Sequence, residues 1–371
     1  MASIAGIISQ HGKLDIDSTG LMRKMLRLMR HRGPDNSVVR TLYDDRGAVG
    51  ANEINLSPRR THCTSLDEKP YILFDGELFN DRPEGMSDLA LFKEYYDKYE
   101  RDCFSRLNGS FSCAIVEKGE EVVLARDHIG ARPLFFGRSN HIFYFSTEMK
   151  GLVDHVQFGI EELPPGCIYS SKKGVKAFDA FQPEVSDVGD SLKEAAKVLR
   201  ELMIEAVRQR MDGVGAISLS GGLDSSIVAA IARQFNPDLV LFTATIARAP
   251  GPDLENAKRM AEFLDLEHRV YKITDEDITN FIPDAVWYLE SFDEDCISGL
   301  ISNYYVSKMV KQHSNSVLVG EGADELFGGY RMVLKHPKVK SSEKREGLAR
   351  KLVAIAYNTA LRRLDRGWMA N

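Results

Sequence analysis

The chain of 371 residues is predicted to fold as an α+β layered domain followed by an α/β domain with a doubly wound parallel sheet. Short apolar or alternating runs, separated by turn residues and joined by two helical patterns, fill residues 1–182. From residue 190 onward, strands alternate regularly with helices. The polar stretch QPEVSDVGD between the two parts is typical of a linker. We therefore predict domains at residues 1–182 and 190–371.

The N-terminal domain is predicted to be rich in strands, with two helices among them. Apolar residues at helical spacing predict helices at residues 21–29 and 88–99, the second with Ser87 as its N-cap. Strands are predicted at the apolar or alternating runs SIAGII, RGAVGA, KPYILFDGE, GSFSCAIVEK, EVVLARD, RPLFFG and HIFYFST.

The C-terminal domain is predicted to open with a helix at residues 191–211, which has a Ser191/Glu194 capping box and an apolar stripe. The strands VGAISL, LVLFTATI, HRVYKI and SVLVG follow in turn. Further helices are predicted at residues 226–235, 253–264, 281–289 and 302–310. This alternation predicts parallel strands joined by right-handed crossovers.

The composition excludes several classes of partner. There are 48 Lys and Arg against 54 Asp and Glu, and 43% of the residues are hydrophobic. Because nucleic acids and anionic membranes are bound by clustered basic surfaces, neither is an expected partner. We see no signal peptide and no apolar run near the ~18 residues that span a bilayer. The five cysteines form no CxxC pair, which favours reduced thiols and a cytoplasmic location.

The segment SGGLDSS follows an apolar strand and opens a helix, so backbone N–H groups and the helix dipole converge on one space of the size of an anion. Its glycines let the main chain approach phosphate oxygens, its serines add donors, and its aspartate can hold Mg²⁺. No Lys reaches for a γ-phosphate, so the segment suits pyrophosphate as a leaving group and adenylation of an acid. A tight βα connection is the alternative. The residues are Ser220, Gly221, Gly222, Asp224, Ser225 and Ser226.

A second motif, GEGADELFGGY at residues 320–330, also follows an apolar strand. Its carboxylates Glu321, Asp324 and Glu325 repel one another unless they share a cation, which favours a Mg²⁺ contact from Asp324 opposite Asp224. Glu321 is then a candidate to orient or deprotonate an incoming amine. A solvated acidic loop is the alternative.

With these motifs, the chain resembles the glutamine-dependent asparagine synthetase family over essentially its whole length. The other matching segments are RHRGPD, DGELFN, LARDHIGARPLFFG, FSTEMKGL and LPPGCIY. The resemblance implies an N-terminal nucleophile-type glutaminase domain followed by a pyrophosphate-loop domain like those of the adenine nucleotide α-hydrolases. It also implies a carbon–nitrogen ligase that uses ATP and Mg²⁺, activates the carboxylate of aspartate as an acyl-adenylate and delivers it to ammonia.

The resemblance carries residue roles with it. Glu321, Asp224 and Asp324 would be catalytic, and the two aspartates would also be the metal ligands. The implied ATP-binding residues are Leu219, Ser220, Gly221, Gly222, Leu223, Asp224, Ser225, Ser226, Ile246 and Gly320.

The glutamine pocket departs from the family pattern. Family members that hydrolyse glutamine carry Cys after the initiator Met, whereas Ala2 stands here and its methyl group cannot attack an amide. The oxyanion-hole Asn of the family is replaced by Asp75, whose charge would repel a developing oxyanion. A family Arg that grips the glutamine carboxylate falls at Glu53. We expect an inactive glutaminase, with an engineered Ala2 as the alternative. The family residues retained in the pocket are Gly76, Glu77 and Asp88.

The segment LRRLDRGWMAN resembles the family segment just before its EARVPFLD stretch. We therefore expect the chain to be shortened relative to a typical synthetase domain. Three alternatives follow: the chain is a truncated form of a longer protein, a separate polypeptide or a homodimer completes the site, or the chain is not catalytic.

Three functions fit this sequence. The first is an asparagine synthetase-like ligase that uses ammonia or another amine. The second resembles the β-lactam synthetases and lasso-peptide cyclases, which lose the Cys and adenylate a different acid. The third is a nucleotide-binding subunit that acts with a partner. The acid substrate is expected near residues 290–302.

Overall fold

The computed structural model describes residues 2–42, 45–57, 59, 63–67, 69–117, 121–178, 191–249, 251–327 and 329. The chain divides into two compact units, Met1–Asp190 and Ser191–Asn371. The predicted linker at residues 182–190 and the C-terminal segment from residue 330 lie outside the described residues. The predicted domain limits and the predicted completion of the site by a partner or a homodimer therefore stay predictions.

The described part of the first unit holds twelve strands and two α-helices. They are β1 (Ser3–Ser9), α1 (Ser18–Leu28), β2 (Asn36–Thr41), β3 (Gly47–Glu53), β4 (Thr64–Ser65), β5 (Tyr71–Leu78), α2 (Asp88–Tyr99), β6 (Gly109–Val116), β7 (Val122–Arg126), β8 (Phe135–Ser139), β9 (Ile142–Ser146), β10 (Glu161–Glu162), β11 (Cys167–Ser170) and β12 (Gly174–Ala177). Short 3₁₀ helices cover Arg30–Arg32, Glu100–Ser105 and Met149–Gly151.

These strands form two six-stranded sheets, ordered β10-β8-β9-β1-β3-β2 and β12-β11-β7-β6-β5-β4. All their pairings are antiparallel. Alternate residues of β1 face opposite sides: Ile4 joins the core shared by the two sheets, whereas Ile7 packs with Met22 of α1. On the second sheet, Phe74 packs against Phe92 of α2. The unit therefore has four layers, helix, sheet, sheet and helix.

The predicted elements of this unit are present, and the structure adds to them. All seven predicted strands form, as β1, β3 and β5 to β9, and the second helix spans Asp88–Tyr99 with Ser87 as its cap. The first helix begins earlier than predicted, at Ser18, because the side chain of Asp17 accepts a hydrogen bond from Gly20 N and caps it there. The unpredicted strands β2, β4, β10, β11 and β12 are short or lie near sheet edges, where few buried apolar residues mark them.

The second unit contains a four-stranded parallel sheet with helices on both faces. Its elements are α3 (Leu192–Gln209), β13 (Ala216–Ser218), α4 (Leu223–Ala232), β14 (Val240–Ile246), α5 (Pro252–Leu264), β15 (Glu267–Ile273), α6 (Asp275–Leu289), α7 (Glu294–Val310), β16 (Val317–Leu318) and α8 (Ala323–Phe327). The strand order is β15-β14-β13-β16. Helices α3, α4 and α5 pack on one face, and α7 packs on the other. The sheet is therefore parallel and doubly wound, as the alternation of strands and helices predicts.

Helix α3 departs from its prediction in one respect. Ser191 caps it, accepting a hydrogen bond from Glu194 N at 3.2 Å and donating to Glu194 Oε2 at 3.0 Å. The apolar stripe, however, is covered only near its C-terminal end, where Val207 is buried, while Leu202 is 63% exposed. None of the helices that the structure describes combines the length and apolar character needed to cross a bilayer.

Candidate functional site

The two loops that the sequence singles out leave the second sheet side by side. Strands β13 and β16 are parallel neighbours, and residues 220–226 follow the first strand as residues 320–327 follow the second. Because β14 lies on the other side of β13, chain connections diverge here, at the switch point where open parallel sheets bind ligands. A Cβ atom on Gly320 would stand 2.8 Å from Ser225 N and 3.1 Å from Asp224 C. A glycine is therefore needed for the two loops to approach this closely.

The first loop is packed against α5 and turned by a glycine. Gly221 has a φ of +86°, which L side chains rarely adopt, and a Cβ atom there would clash with the backbone oxygen of Asp253. In the described residues, no side chain caps α4 at Gly222. The first N–H groups of α4 therefore remain suited to an anion, as the sequence predicts.

The serine hydroxyls are held within the loop. Ser225 is buried, and its Oγ accepts a hydrogen bond from Ser220 N at 3.2 Å and lies 2.9 Å from Ser220 Oγ. Ser226 Oγ donates to Gly222 O at 2.7 Å. The loop is thus ordered by its own hydroxyl groups.

The other predicted nucleotide contacts lie at the same edge of the sheet. Leu219 is buried at the end of β13, and Ile246 ends the neighbouring strand β14 with 42% of its surface exposed. Leu223 is 74% exposed at the start of α4. The structure therefore brings the predicted positions to one edge of the sheet, with one apolar residue beneath the loop and two open to solvent.

The acidic side chains lie at this edge and act on one another. Asp224 is in the first turn of α4, Asp324 is in α8, and Glu321 is exposed between β16 and α8. Partial burial raises the pKa of Asp324, and the charges of Asp224 and Glu325 raise it further. The charge of Asp224 thus opposes the ionisation of Asp324.

This donor set fits Mg²⁺. The ion is usually held by one or two carboxylates together with phosphate oxygens and water. Two repelling carboxylates beside a loop that is predicted to bind phosphate match that pattern. In the described ranges, no group of three or more His, Cys, Asp or Glu side chains could hold a metal ion by itself. Phosphate and water would therefore complete the coordination by Asp224 and Asp324.

Two polar residues near the loop, Thr243 and His268, are not among the residues predicted from the sequence. Thr243 is buried in β14 and donates through Oγ1 to Leu219 O at 2.6 Å. His268 Nε2 lies 2.7 Å from the same Oγ1. Burial lowers the pKa of His268, and the charge of Lys258 lowers it further. The signal in the sequence is Thr243, one of two threonines inside the apolar run LVLFTATI.

In the first unit, the backbone N–H of Ala2 is hydrogen-bonded to a buried acid. Ala2 N donates to Asp75 Oδ1 at 2.9 Å, while Arg32 donates from Nη2 to Asp75 Oδ2 at 3.2 Å and from Nε to Ala2 O at 2.9 Å. Burial of Asp75 raises its pKa, but the charges of Arg132 and Arg32 and the hydrogen bond from Ala2 lower it overall. Asp75 is therefore a buried carboxylate held in its ionised form.

The same arginine joins a second buried acid. Arg32 Nη1 lies 3.5 Å from Glu148 Oε1, which also contacts His31 Nε2 at 2.9 Å. Lys150 Nζ contacts Glu148 Oε2 at 2.8 Å. Burial opposes ionisation of Glu148, yet its hydrogen bonds to His31 and Lys150 lower its pKa overall. Arg32 and Lys150 thus stabilise this second buried charge.

Glu53, which is predicted to stand at the position of a family arginine, accepts hydrogen bonds from within the protein. Glu53 is buried at the end of β3, and its Oε1 accepts a hydrogen bond from Cys63 N at 3.1 Å. Its Oε2 accepts one from Asn36 Nδ2 at 2.8 Å. Burial and the charges of Glu53 and Asp75 raise the pKa of the Cys63 thiol well above its usual value.

The three retained pocket positions lie on β5 and at the start of α2. Asp88 Oδ1 contacts Arg82 Nη1 at 2.6 Å and accepts a hydrogen bond from Leu78 N at 3.1 Å. Gly76 lies so close to Ser110 and Phe111 of β6 that a Cβ atom would clash there. Glu77 is half-buried beside it. Asp88 thus already has a cationic partner within its own unit.

Comparisons with known proteins cover both units. The asparagine synthase family model matches residues 198–370, and the glutamine amidotransferase domain model matches residues 1–165. The chain is similar to the asparagine synthetase family in both of its units. Both motif loops of the second unit lie within the asparagine synthase match. The residues around Ala2 and Asp75 lie within the amidotransferase match.

Curated members of the asparagine synthetase family align with almost all of this chain. A glutamine-hydrolysing asparagine synthetase of Zea mays is 29% identical over 391 residues, covering 97% of this chain and 65% of that protein. Asparagine synthetase B of Escherichia coli (strain K12) is 29% identical over 406 residues, covering 96% of this chain and 69% of that protein. The chain thus spans about two thirds of the length of these relatives.

Among solved structures, glutamine phosphoribosylpyrophosphate amidotransferase from B. subtilis, complexed with ADP and GMP, aligns at 16% identity. The alignment has a TM-score of 0.35 and covers 64% of this chain and 65% of that chain.

Proposed function

We propose that the chain is an ATP-dependent carbon–nitrogen ligase of the asparagine synthetase type. It would adenylate a carboxylate with release of pyrophosphate, and then transfer the acyl group from the adenylate to ammonia or another amine with release of AMP. One observation carries this proposal: the SGGLDSS loop and the acidic loop meet at the switch point of the sheet, where the charge of Asp224 raises the pKa of Asp324.

The residues of the second unit divide the work. The N–H groups at the start of α4 and the hydroxyl of Ser220 bind the pyrophosphate that leaves. Asp224 and Asp324 hold Mg²⁺, which when bound supplies neutralisation of the phosphate charge. Glu321, exposed at the same edge, orients the amine and accepts its proton.

Aspartate is the proposed carboxylate. The support is that both curated relatives are asparagine synthetases and that they align over 96–97% of this chain. The proposal of aspartate thus rests on the names of these relatives, whereas the geometry of the second unit supports only the adenylation step.

The nitrogen is proposed to come from outside the chain, and the support is the chemistry of residue 2 and of the nearby thiol of Cys63. Ala2 offers no nucleophile, and its N–H is already bonded to Asp75. Cys63 does not replace it, since burial raises the pKa of its thiol and keeps it protonated. The amidotransferase match of residues 1–165 is then a retained fold without hydrolysis.

The test is exchange of pyrophosphate into ATP with Mg²⁺, aspartate and a panel of other carboxylic acids. Asp224→Asn should reduce the exchange by about 100-fold, because one of the two proposed carboxylate ligands of Mg²⁺ is lost and the charge of the leaving pyrophosphate is then less well neutralised. The matched control is Asp238→Asn, an exposed acid at the other end of β14, which should leave the exchange unchanged.

Each outcome assigns a function. Exchange that depends on aspartate supports the proposal, and exchange with another acid alone favours a ligase resembling the β-lactam synthetases or peptide cyclases. ATP binding without exchange favours a non-catalytic subunit. Release of glutamate from glutamine by the wild-type chain would contradict the external source of nitrogen.

A further inference from the structure

A chain of hydrogen bonds runs from β15 to Ser220. This residue is the first of the SGGLDSS loop (residues 220–226), hereafter the pyrophosphate loop. His268 Nε2 lies 2.7 Å from Thr243 Oγ1, and Thr243 donates to Leu219 O at 2.6 Å. The next residue, Ser220, donates its N–H to Ser225 Oγ at 3.2 Å. The chain thus crosses three neighbouring segments of the second unit and ends on the loop.

The direction of these bonds follows from counting protons. A carbonyl oxygen only accepts, so the single hydroxyl proton of Thr243 is directed at Leu219 O. The contact with His268 must then use a lone pair of Thr243 Oγ1, which requires a proton on His268 Nε2. A histidine with Nε2–H is therefore the form that completes the chain.

The peptide group between Leu219 and Ser220 is fixed at both ends by this arrangement. Its oxygen is held by Thr243 and its N–H by Ser225. That peptide is where the strand β13 has ended and the loop begins, so its plane sets the direction in which the loop leaves the sheet. Hydrogen bonds in series also strengthen one another.

We propose that Thr243 and His268 are positioning residues that hold the pyrophosphate loop in its phosphate-binding conformation before ATP arrives. Neither side chain is assigned a contact with ATP. Thr243 is buried beneath the loop, and His268 acts on the loop through its hydrogen bond to Thr243. The inference rests on the proposed function, since it concerns the same ATP site.

A merely structural role makes a different prediction. Thr147, in the first unit, provides the matched case, because it is also buried and its hydroxyl donates to a backbone oxygen, Ile4 O, at 3.2 Å. Thr147→Val and Thr243→Val each remove one such hydroxyl. If both act only on stability, neither variant changes the affinity of the folded chain for ATP.

The experiment is calorimetric titration of Mg·ATP into the full chain, with thermal unfolding of every variant measured alongside. Thr243→Val should weaken binding about tenfold, the size expected for losing one well-placed hydrogen bond. Thr243→Ser keeps the hydroxyl and should restore the affinity to within about threefold of the wild type. Thr147→Val should leave the Kd unchanged.

A second pair of variants tests the histidine. His268→Leu should weaken Mg·ATP binding by about threefold to tenfold, and His268→Gln, whose amide nitrogen donates from a similar distance, should recover most of the loss. This pair also serves if Thr243→Val does not fold.

The outcomes separate the two proposals. Failure of the wild-type chain to bind Mg·ATP overturns the proposed function and the inference with it. Binding by the wild type with the same Kd in Thr243→Val and in His268→Leu overturns the inference alone. A loss in Thr243→Val that Thr243→Ser does not reverse overturns it as well.

Discussion

Carboxylates lie both in the polar pocket of the first unit and at the acidic edge of the second, but their pKa values are shifted in opposite directions. In the first unit, Asp75 and Glu148 are buried and each contacts a cation, so their pKa values are lowered. In the second, Asp224 and Asp324 lie at an open edge, and the pKa of Asp324 is raised. In the part of the chain that the structure describes, no ion pair involves either of these two.

This difference distinguishes a network of buried charges that already have partners from a site that can still bind a ligand. A buried charge that is paired and hydrogen-bonded needs nothing further, and adding a ligand would break existing bonds. The repulsion between neighbouring carboxylates lowers stability at neutral pH, and a bound cation would relieve it. The amidotransferase-like unit therefore has a closed polar core, whereas the synthetase-like unit has an edge suited to a cation and a phosphate.

Removing the central cation of the first unit should give the largest effect. Arg32, whose side chain is 9% exposed, contacts Asp75, Glu148 and Ala2 O. Arg32→Met leaves two buried acids without that partner and should lower the free energy of unfolding by about 3–5 kcal/mol, measured by urea denaturation.

The control is an exposed pair of the same unit. Lys13 and Asp45 lie 2.7 Å apart with side chains 64% and 61% exposed, so Lys13→Met should have little effect. Adding Asp75→Asn to Arg32→Met should recover part of the loss, because one unpaired charge is removed. Equal effects of Arg32→Met and Lys13→Met would contradict the account of the pocket as a buried charge network.

The acid side of the pH profile should give the next largest effect. The folded-state pKa values of Asp75 and Glu148 lie below their usual values, so their contribution is fully present above the unfolded values and is lost as pH falls through the folded ones. Between pH 5 and pH 3, wild-type stability should therefore fall more than that of Asp75→Asn, by on the order of 1 kcal/mol. Parallel profiles from urea titrations at each pH would contradict this.

How far the sequence could predict this molecule depends on the distance over which each feature is encoded. The strand β5 and the helix α2 are local patterns of apolar residues, and the loop SGGLDSS is a local pattern of turn and hydroxyl residues, so all three were predictable. The family resemblance was predictable for the same reason. Short strands at sheet edges, such as β10 and β12, carry no such pattern.

The hydrogen-bond partners in both units were not predictable, because the tertiary fold brings together residues that are distant in sequence. Arg32 and Asp75 are 43 residues apart in sequence, and Thr243 and His268 are 25 apart. No local spacing rule links such pairs. The substitution at Asp75 was visible in the sequence, but its stabilisation by Arg32 was visible only in the fold.

Neutralising an acid of the second unit should have a small effect with the opposite sign. Because the folded-state pKa of Asp324 is raised, its ionised form costs free energy at all pH values above that pKa and none well below the unfolded value. Without Mg²⁺ at pH 7, Asp324→Asn should therefore raise the free energy of unfolding, by no more than about 0.5 kcal/mol after solvent screening. At pH 3 the variant and the wild type should be equally stable.

Asp238→Asn serves as the control, since this exposed acid lies at the other end of β14. Destabilisation of the chain by Asp324→Asn at pH 7 would show that its carboxylate is paired, and the contrast between the two units would then fail.

The smallest effect is expected where the family pattern would lead one to look for the largest. Ala2→Cys restores a thiol, yet it should not produce glutaminase activity, measured as glutamate released from glutamine. The N–H of residue 2 would still donate to the Asp75 carboxylate, whose charge repels an oxyanion. Asp88 would still be held by Arg82.

Alkylation of the new thiol followed by mass spectrometry provides the control that the cysteine is present and reactive. Glutamine hydrolysis by Ala2→Cys alone would show that one side chain separates this pocket from an active one, whereas hydrolysis only after adding Asp75→Asn would locate the block in the carboxylate.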